Sequence, residues 1–266
     1  MYDIIIIGGG PAGLSAAITA RQRGKSAAVI SNEYKKSGLY KAREIGNYPG
    51  FPGISGPDIL DKLASHALSA GVKQITGRVS NILPSGHVFY VGFDNEIETA
   101  KSVILATGVV QSSLFPGEEE LLGSGVSYCA TCDGMLFRGK SVCVVSLIPE
   151  AEEEALYLES IGCRVIRLAT KDIVINGEKH VESVTAGGET IDCDGVFILR
   201  QAVAPHILVK GLATEKNHII TDRSGKTNMP GIFAAGDCVG TPYQIAKAVG
   251  EGNVAALIAA EYISAL

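Results

Sequence analysis

The chain opens with a short apolar run that leads directly into a cluster of glycines. Residues 2–7 read YDIIII, and Gly8, Gly10 and Gly13 then form the pattern GxGxxG ahead of an Ala-rich stretch. In a strand–turn–helix unit, the first glycine permits a tight turn and the second lets the backbone approach a pyrophosphate. The third lets the helix pack closely on the strand, and the amides that open the helix face the phosphates. The predicted dinucleotide-binding turn comprises Gly8, Gly10, Pro11, Ala12 and Gly13.

The end of the second strand leaves the identity of the dinucleotide open. An acidic residue that binds a ribose is usual at this point, whereas Ser31 and Asn32 stand here and Glu33 follows slightly late. This motif alone therefore does not separate FAD from NAD, and we assign Ser31 and Asn32 to the cofactor site.

A second strand–turn–helix–strand unit lacks the glycines of the first. It reads SVCVVSLIPEAEEEALYLESIGCRVIRLA from Ser141 to Ala169, and its turn holds Ser146, Leu147, Ile148 and Pro149. Side chains at these positions block close approach of a phosphate, and proline removes an N–H donor. The acidic residues that follow would repel a phosphate while complementing the positive end of their own helix. They are Glu150, Glu152, Glu153 and Glu154.

Composition restricts the class of protein. The 266 residues are 46% hydrophobic with a net charge of −5, which predicts a substantial core and argues against general nucleic-acid binding. No run is long and apolar enough for a membrane span. Because the first strand begins at Tyr2, we expect no signal peptide and a cytoplasmic protein.

The order of elements predicts an α/β protein with two Rossmann-like domains. We expect a three-layer dinucleotide-binding domain formed by residues 1–113 and 202–266, and a shortened, degenerate domain of residues 114–201. Helical spacing predicts helices over Gly56–Gly71 and Tyr243–Ser264. Strand-like runs cover Gln74–Ile82, His87–Gly92 and Val103–Leu105.

Two cysteines in the second domain have the spacing of a redox pair. Cys129 and Cys132 form CxxC, which can close a small disulfide ring, and Asp133 beside them could transfer a proton. A zinc site is the alternative, but it would need a second pair of ligands. The other cysteines are scattered singly and are expected to be packing residues: Cys143, Cys163, Cys193 and Cys238.

Taken together, the motifs resemble the low-molecular-weight thioredoxin reductases. The segments, in chain order, are GGGPAGL, NYPGF, ILATG, YCATCDG, GIFAAGDC and YQIA. The resemblance implies FAD on the first domain. It also implies that Cys132 faces the flavin, that Cys129 attacks the partner disulfide and that Asp133 is the acid/base. Beyond the glycine turn and the second strand, the implied cofactor residues are Gly38, Asn47, Val79, Thr107, Gly108, Gly236, Asp237, Tyr243, Gln244 and Ile245.

The chain departs from that family where NADPH would bind. The second glycine motif is absent, and Ala169, Thr170 and Lys171 replace the cationic cluster that grips the 2′-phosphate. These departures resemble the ferredoxin-dependent flavin thioredoxin reductases, which keep the flavin and the disulfide without a pyridine nucleotide. The implied route is from reduced ferredoxin through FAD to the cysteine pair and thioredoxin. It is downhill by about 6 kcal/mol for two electrons, from roughly −400 mV for a plant-type ferredoxin to about −270 mV for thioredoxin.

An acidic ferredoxin would need a local positive surface on this acidic chain. The loop around Gly38 supplies one, and electrostatic steering there would raise the encounter rate. Its cations are Lys35, Lys36, Lys41 and Arg43.

Other functions fit the same residues. A flavin-dependent dithiol oxidase would use O₂ in place of ferredoxin, and a second flavin could bind the degenerate domain. A non-catalytic flavin or thiol redox sensor is a further alternative. The resemblance also implies a homodimer, and no metal site is expected.

Overall fold

The computed structural model describes most of the chain. The ranges are 1–32, 37–94, 96–109, 115–128, 130–147, 151–168, 170, 172–199, 204–216 and 218–266, with the backbone alone at Thr131 and Cys132. The chain forms two compact units. Met1–Val110 with Ala204–Leu266 forms unit 1, and Gln111–Val203 forms unit 2. The boundaries predicted from the sequence were 113/114 and 201/202.

Strands and helices alternate through much of the described chain. The strands are β1 (Tyr2–Ile7), β2 (Ala27–Ser31), β3 (Lys73–Thr76), β4 (Val79–Ser85), β5 (Val88–Phe93), β6 (Glu96–Leu105), β7 (Val126–Ser127), β8 (Ser141–Ser146), β9 (Arg164–Leu168), β10 (Ile173–Asn176), β11 (Ser183–Ala186), β12 (Glu189–Asp192), β13 (Gly195–Leu199), β14 (Thr214–Glu215), β15 (His218–Ile219) and β16 (Ile232–Ala234). The α-helices are α1 (Pro11–Gln22), α2 (Gly56–Ser69), α3 (Ala130–Asp133), α4 (Ala151–Ser160), α5 (Pro205–Leu208) and α6 (Ile245–Ser264). Short 3-10 turns cover Leu39–Lys41, Gly134–Phe137 and Asp237–Val239.

The main sheet of unit 1 runs in the order β3-β2-β1-β6-β5-β4 over the residues described, with β16 also paired to β6. The pairs β1/β2, β1/β6, β2/β3 and β16/β6 are parallel, whereas β4 and β5 continue the sheet antiparallel. Because parallel strands end at the same edge, the loops after β1, β2, β6 and β16 all leave from one edge of this sheet.

Unit 2 contains a smaller parallel sheet in the order β7-β13-β8-β9 and a separate antiparallel sheet β10-β11-β12. The unit Ser141–Ala169 forms β8, α4 and β9 as predicted, and the apolar face of α4 is buried through Ala151, Ala155 and Leu158. The predicted α/β class with parallel sheets is confirmed.

Three predicted elements differ from those observed. The strand predicted over Val103–Leu105 begins seven residues earlier, at Glu96 of β6. The run Gln74–Ile82 is divided into β3 and β4, because the chain turns at Gly77 from the parallel to the antiparallel part of the sheet. The last helix begins at Ile245 and not at Tyr243, because Gln244 is an extended N-cap with φ −132° and ψ 137°.

Helices α1 and α6 pack through small residues in the core of unit 1. The cluster includes Ala16, Ala20, Ala255 and Ala259, all fully buried. At Gly252 of α6 the approach is so close that a Cβ would collide with the carbonyl of Ala12. A small residue at this crossing is therefore a steric requirement.

Replacing Gly252 with alanine should destabilise the purified protein by roughly 1–3 kcal/mol, because the added methyl group overpacks the α1–α6 contact. Gly250→Ala in the same helix is the matched control, since a Cβ there meets no atom within 4 Å. We expect that control to be stabilising by up to about 1 kcal/mol. Urea unfolding followed by circular dichroism measures both changes, and shifts of the two midpoints in the same direction would contradict the steric argument.

Candidate active site

The predicted cofactor residues of unit 1 collect at the carboxyl edge of its parallel strands. Gly8 to Gly13 follow β1, Ser31 and Asn32 end or follow β2, and Thr107 and Gly108 follow β6. Gly236 and Asp237 follow β16. Brought together by the strand order, these segments outline a ligand site of the kind found at the carboxyl edge of open α/β sheets.

The glycine turn has the backbone geometry that the sequence predicts. Gly8 has a φ of 115°, and a Cβ there would collide with the carbonyl of Ala106. A Cβ at Gly13 would collide with the carbonyl of Gly8, whereas a Cβ at Gly10 would meet nothing within 4 Å. The first and third glycines therefore close the turn, and the second leaves open space at the start of α1.

The start of α1 is suited to an anion. Gly10 is its N-cap and Pro11 occupies the first turn, where its missing N–H costs no helical hydrogen bond. The structure describes every residue of α1, and its first turn contains no acidic residue. Its N-terminal amides and the helix dipole are thus free to favour a phosphate.

A buried hydroxyl marks the next segment of the edge. The Oγ1 atom of Thr107 is buried and makes no hydrogen bond of good geometry in the described structure, although it lies close enough to the Cys238 thiol to oppose slightly the rise in pKa that burial causes there. Buried polar groups are rarely left unpaired, so a ligand that reaches this hydroxyl would satisfy it. The adjacent Gly108 has a φ of 69°, which glycine adopts without strain.

A side-chain clamp holds the loop after β16 against α6. The Lys247 ammonium donates to the carbonyls of Gly236 and Gly240 at 3.2 and 2.9 Å, and to Glu251 Oε2 at 3.1 Å. Glu251 Oε2 also accepts from the Gly236 amide at 2.9 Å. Burial raises the pKa of the neighbouring Asp237 carboxyl. Sequence reasoning found Gly236 and Asp237 but missed Lys247 and Glu251.

Two distant predicted residues are joined by a hydrogen bond. The Asn47 amide Nδ2 donates to Gln244 Oε1 at 2.6 Å, across 197 positions of sequence. Tyr243 shares a 2.8 Å hydrogen bond between its hydroxyl and His218 Nε2. His218 was not predicted, because a lone histidine carries no spacing signal.

The remaining predicted cofactor residues lie on or near the same sheet. Val79 is buried at the start of β4, and Gly38 caps the 3-10 turn Leu39–Lys41. Ser31 ends β2, next to Asn32. The structure places these residues without assigning them a ligand, so their roles stay predictions.

The cationic segment proposed for docking is described only in part. Lys41 and Arg43 are exposed on unit 1, whereas Lys35 and Lys36 lie outside the described residues.

The redox pair of unit 2 follows β7. Cys129 lies outside the described residues, and the backbone of Cys132 belongs to α3. Ser127, which is buried, donates its hydroxyl to Asp133 Oδ2 at 2.7 Å. The predicted acid/base is therefore held by a neighbour that the motif did not identify.

The other cysteines are buried and free. A hydrogen bond with Cys193, together with burial, raises the pKa of the Cys143 thiol. Burial raises the pKa of Cys238 to about 11. Burial also raises the pKa of Cys163, whereas the hydrogen bond with Cys143 lowers the pKa of Cys193. A packing role for the four buried thiols stays a prediction. Within the described ranges, no group of three or more His, Cys, Asp or Glu side chains could hold a metal ion.

In the second strand–turn–helix unit, an arginine of the strand pairs with carboxylates of the helix. Arg167 on β9 donates three hydrogen bonds of 2.9, 3.1 and 3.2 Å to Glu152, and one of 2.7 Å to Glu159. The hydrogen bond with Glu159 raises the pKa of Arg167 further and lowers that of Glu159. A cation that could have met a phosphate is therefore paired with carboxylates of α4.

Comparison with known proteins identifies the class. The family model described as pyridine nucleotide-disulphide oxidoreductase matches residues 2–176 and 148–252. The chain belongs to this family of flavin- and nucleotide-binding redox enzymes.

Individual relatives narrow the class. A thioredoxin reductase of Listeria innocua is 33% identical over 303 positions, covering 100% of this chain and 95% of the relative. A ferredoxin-flavin thioredoxin reductase structure from Clostridium acetobutylicum is 39% identical, with coverage of 100% and 99% and a TM-score of 0.88. A thioredoxin reductase structure from Lactococcus lactis is 32% identical, covers 100% of both chains and has a TM-score of 0.63. This chain is a thioredoxin reductase-like flavoprotein disulfide reductase, and its cofactor is FAD.

The structure of unit 1 fits FAD. An open turn at Gly10, a helix start without acidic residues and the unpaired Thr107 hydroxyl are the features that a bound dinucleotide would use. In the part of the chain that the structure describes, no helix is both long and apolar enough to cross a bilayer.

The predicted role of Thr107 can be tested with Thr107→Val, which keeps the side-chain shape and removes the hydroxyl. We expect FAD affinity to fall about two- to tenfold, the value of one hydrogen bond. The apoprotein should be no less stable, because its hydroxyl is unsatisfied. Thr99→Val makes the same chemical change on β6, away from the carboxyl edge of the sheet, and is the control. Fluorescence titration of apoprotein with FAD measures the affinity, and equal affinities of wild type and Thr107→Val would refute the role.

Proposed function

We propose that this protein is a ferredoxin-dependent thioredoxin reductase that works without NADPH. Reducing equivalents would pass from reduced ferredoxin through FAD to the Cys129–Cys132 disulfide and then to thioredoxin. Support comes from the similarity to two structures named ferredoxin-flavin thioredoxin reductase, at 38% and 39% identity with TM-scores of 0.87 and 0.88. The curated relatives are named thioredoxin reductase without a stated donor.

The observation that carries the proposal is the turn after β8. In unit 1 the corresponding turn has Gly8 and Gly10, and the space beside Gly10 is open. At the end of β8 the chain instead presents Ser146, which is exposed, and Leu147 follows it. The predicted obstacles at Ile148, Pro149 and Glu150 lie outside the described residues. Side chains in place of glycines leave no room for the close backbone approach that a pyrophosphate needs.

Charge at this turn also disfavours a nucleotide. The first turn of α4 carries Glu152, Glu153 and Glu154, whereas the first turn of α1 carries no acidic residue. Carboxylates stabilise a helix N-terminus but repel a phosphate from it. With Arg167 paired to Glu152 and Glu159, the residues do not fit NADPH.

The cysteine pair would perform the disulfide chemistry. Two electrons and two protons convert the Cys129–Cys132 disulfide into two thiols. A thiolate then attacks the thioredoxin disulfide, and a second exchange releases the thioredoxin dithiol and restores the pair. Asp133, oriented by Ser127, would hold or transfer the proton at the thiols. Bound FAD would supply the conversion between single-electron donation by ferredoxin and two-electron disulfide reduction.

Two large apolar side chains that follow the cysteine pair in the sequence are exposed. Met135 and Leu136 follow the pair by three and four residues from Cys132 and are 56% and 72% exposed. Large apolar side chains exposed together mark protein contacts more often than small-molecule pockets. This exposure favours a protein disulfide such as that of thioredoxin over the small dithiol of an oxidase.

The exposed cations Lys41 and Arg43 are the described part of the proposed ferredoxin surface. We also propose a homodimer and a cytoplasmic location. Free buried cysteines beside a redox-active pair are typical of a reducing compartment.

An anaerobic assay distinguishes the donors. We expect NADPH to leave the FAD absorbance of the purified protein unchanged, and reduced ferredoxin to bleach it and drive thiol release from thioredoxin. Rapid bleaching by NADPH would contradict the proposal. In a separate aerobic assay, turnover with O₂ and small dithiols, but not with thioredoxin, would establish the oxidase instead.

Charge reversal tests the docking surface. Lys41→Glu should slow ferredoxin-driven turnover about three- to tenfold at low ionic strength, and the difference should fade in high salt as steering is screened. Lys73→Glu is the matched control, because Lys73 is exposed at the amino end of β3, away from the carboxyl edge. Equal rates for the two variants would show that Lys41 is not part of the docking surface.

A further inference from the structure

A carboxylate of the degenerate unit reaches the redox segment. Glu154, in the first turn of α4, accepts a hydrogen bond from the backbone N–H of Ala130 at 3.0 Å. This amide belongs to the peptide bond between Cys129 and Ala130. The carboxylate therefore contacts the backbone group that directly follows the first cysteine. Ala130 itself is fully buried.

Two further carboxylates hydrogen-bond to the same segment. Glu118, which is fully buried, accepts from the Tyr128 hydroxyl at 2.6 Å. Asp133 accepts from Ser127 at 2.7 Å. These three carboxylates come from three different parts of unit 2.

The position of Glu154 opposes the usual activation of a thiol. Amides that open a helix after a cysteine stabilise its thiolate, and nearby cations do the same. Here the amide is bonded to a carboxylate, which withdraws one donor and adds a negative charge. The disulfide is neutral, so this charge acts against the reduced pair once a thiol ionises.

We propose that Glu154 is a positioning residue that makes the cysteine pair a stronger reductant by destabilising the thiolate of Cys129. Helix α4, which no longer receives a nucleotide phosphate, would then set the reducing power of the disulfide. The inference rests on the proposed redox role of Cys129 and Cys132, and is independent of the identity of the electron donor.

The sign of the effect follows from the charges. Glu154 holds the pKa of the Cys129 thiol above the value it would have without that carboxylate. Removing the charge therefore lowers this pKa and favours the dithiol over the disulfide. The shift in the redox equilibrium should grow as pH rises through the thiol pKa, because only the thiolate experiences the full repulsion. Glu118 and Asp133 stay unchanged in the comparison and act as a constant background.

The first test measures the thiol directly. In FAD-loaded protein carrying Cys132→Ser, alkylation of Cys129 by iodoacetamide is followed from pH 6 to 10 by peptide mass spectrometry. We expect Glu154→Gln, which keeps an acceptor for the Ala130 amide, to lower the apparent pKa by about one unit, a tenfold change in the ionisation constant. Glu153→Gln, an exposed neighbour in the same turn, should leave it unchanged.

The second test measures the intact pair. Equilibration with oxidised and reduced dithiothreitol at pH 9 transfers two electrons and two protons between the two dithiol–disulfide couples. Glu154→Gln should shift the equilibrium constant about three- to tenfold towards the protein dithiol, and Glu153→Gln should not. Glu154→Ser also removes the charge and serves if Glu154→Gln does not fold.

Equal alkylation profiles and equal redox equilibria for wild type and both charge-removing variants would overturn the inference and leave the proposed function standing. If Cys129 and Cys132 form no disulfide in wild type, both the inference and the proposed function fail.

Discussion

Close backbone approach at three glycines underlies the architecture of unit 1. Gly8 lies against the carbonyl of Ala106, Gly13 against that of Gly8, and Gly252 against that of Ala12. No side chain fits at any of these contacts. They bring β1, β6, α1 and α6 together, so the open space at Gly10 and the Thr107 hydroxyl share the edge where FAD is expected to bind. The Lys247–Glu251 clamp then fixes the fourth segment of that edge.

The two strand–turn–helix units of the chain show how few residues separate a nucleotide site from a structural copy of it. Both have an apolar strand and a helix packed on the sheet. One has glycines and an uncharged first turn, and the other has side chains and three carboxylates. Because the packing of α4 depends on buried alanines and leucine rather than on the turn, the second strand–turn–helix unit keeps its fold without the glycines of the first.

The carboxylates of the second strand–turn–helix unit have two roles. At the turn after β8 they disfavour phosphate, and through Arg167 they bind α4 to β9. Through Glu154 they reach the amide next to Cys129. A helix N-terminus that binds an anion from its own chain is stabilised in the same way as one that binds a ligand. The proposed absence of NADPH binding and the proposed control of the disulfide are therefore compatible in one helix.

The sequence by itself determined the elements that depend on local patterns. The glycine spacing predicted the turn after β1, the cysteine spacing predicted the redox pair, and the missing glycines predicted the degenerate turn, because each motif is complete within a few residues. The start of α6 was predicted two residues early, since periodicity does not show that Gln244 is extended.

Only the tertiary structure decided the contacts that complete the sites. Asn47 meets Gln244 across 197 positions, Glu154 meets the Ala130 amide across 24, and Glu251 meets the Gly236 amide across 15. Periodicity and motif spacing carry no information about such pairs, because their distances depend on how strands are ordered and how helices cross. The sequence predicts the residues that would do the chemistry. The fold determines which neighbours hold those residues in place and which charged groups lie near them.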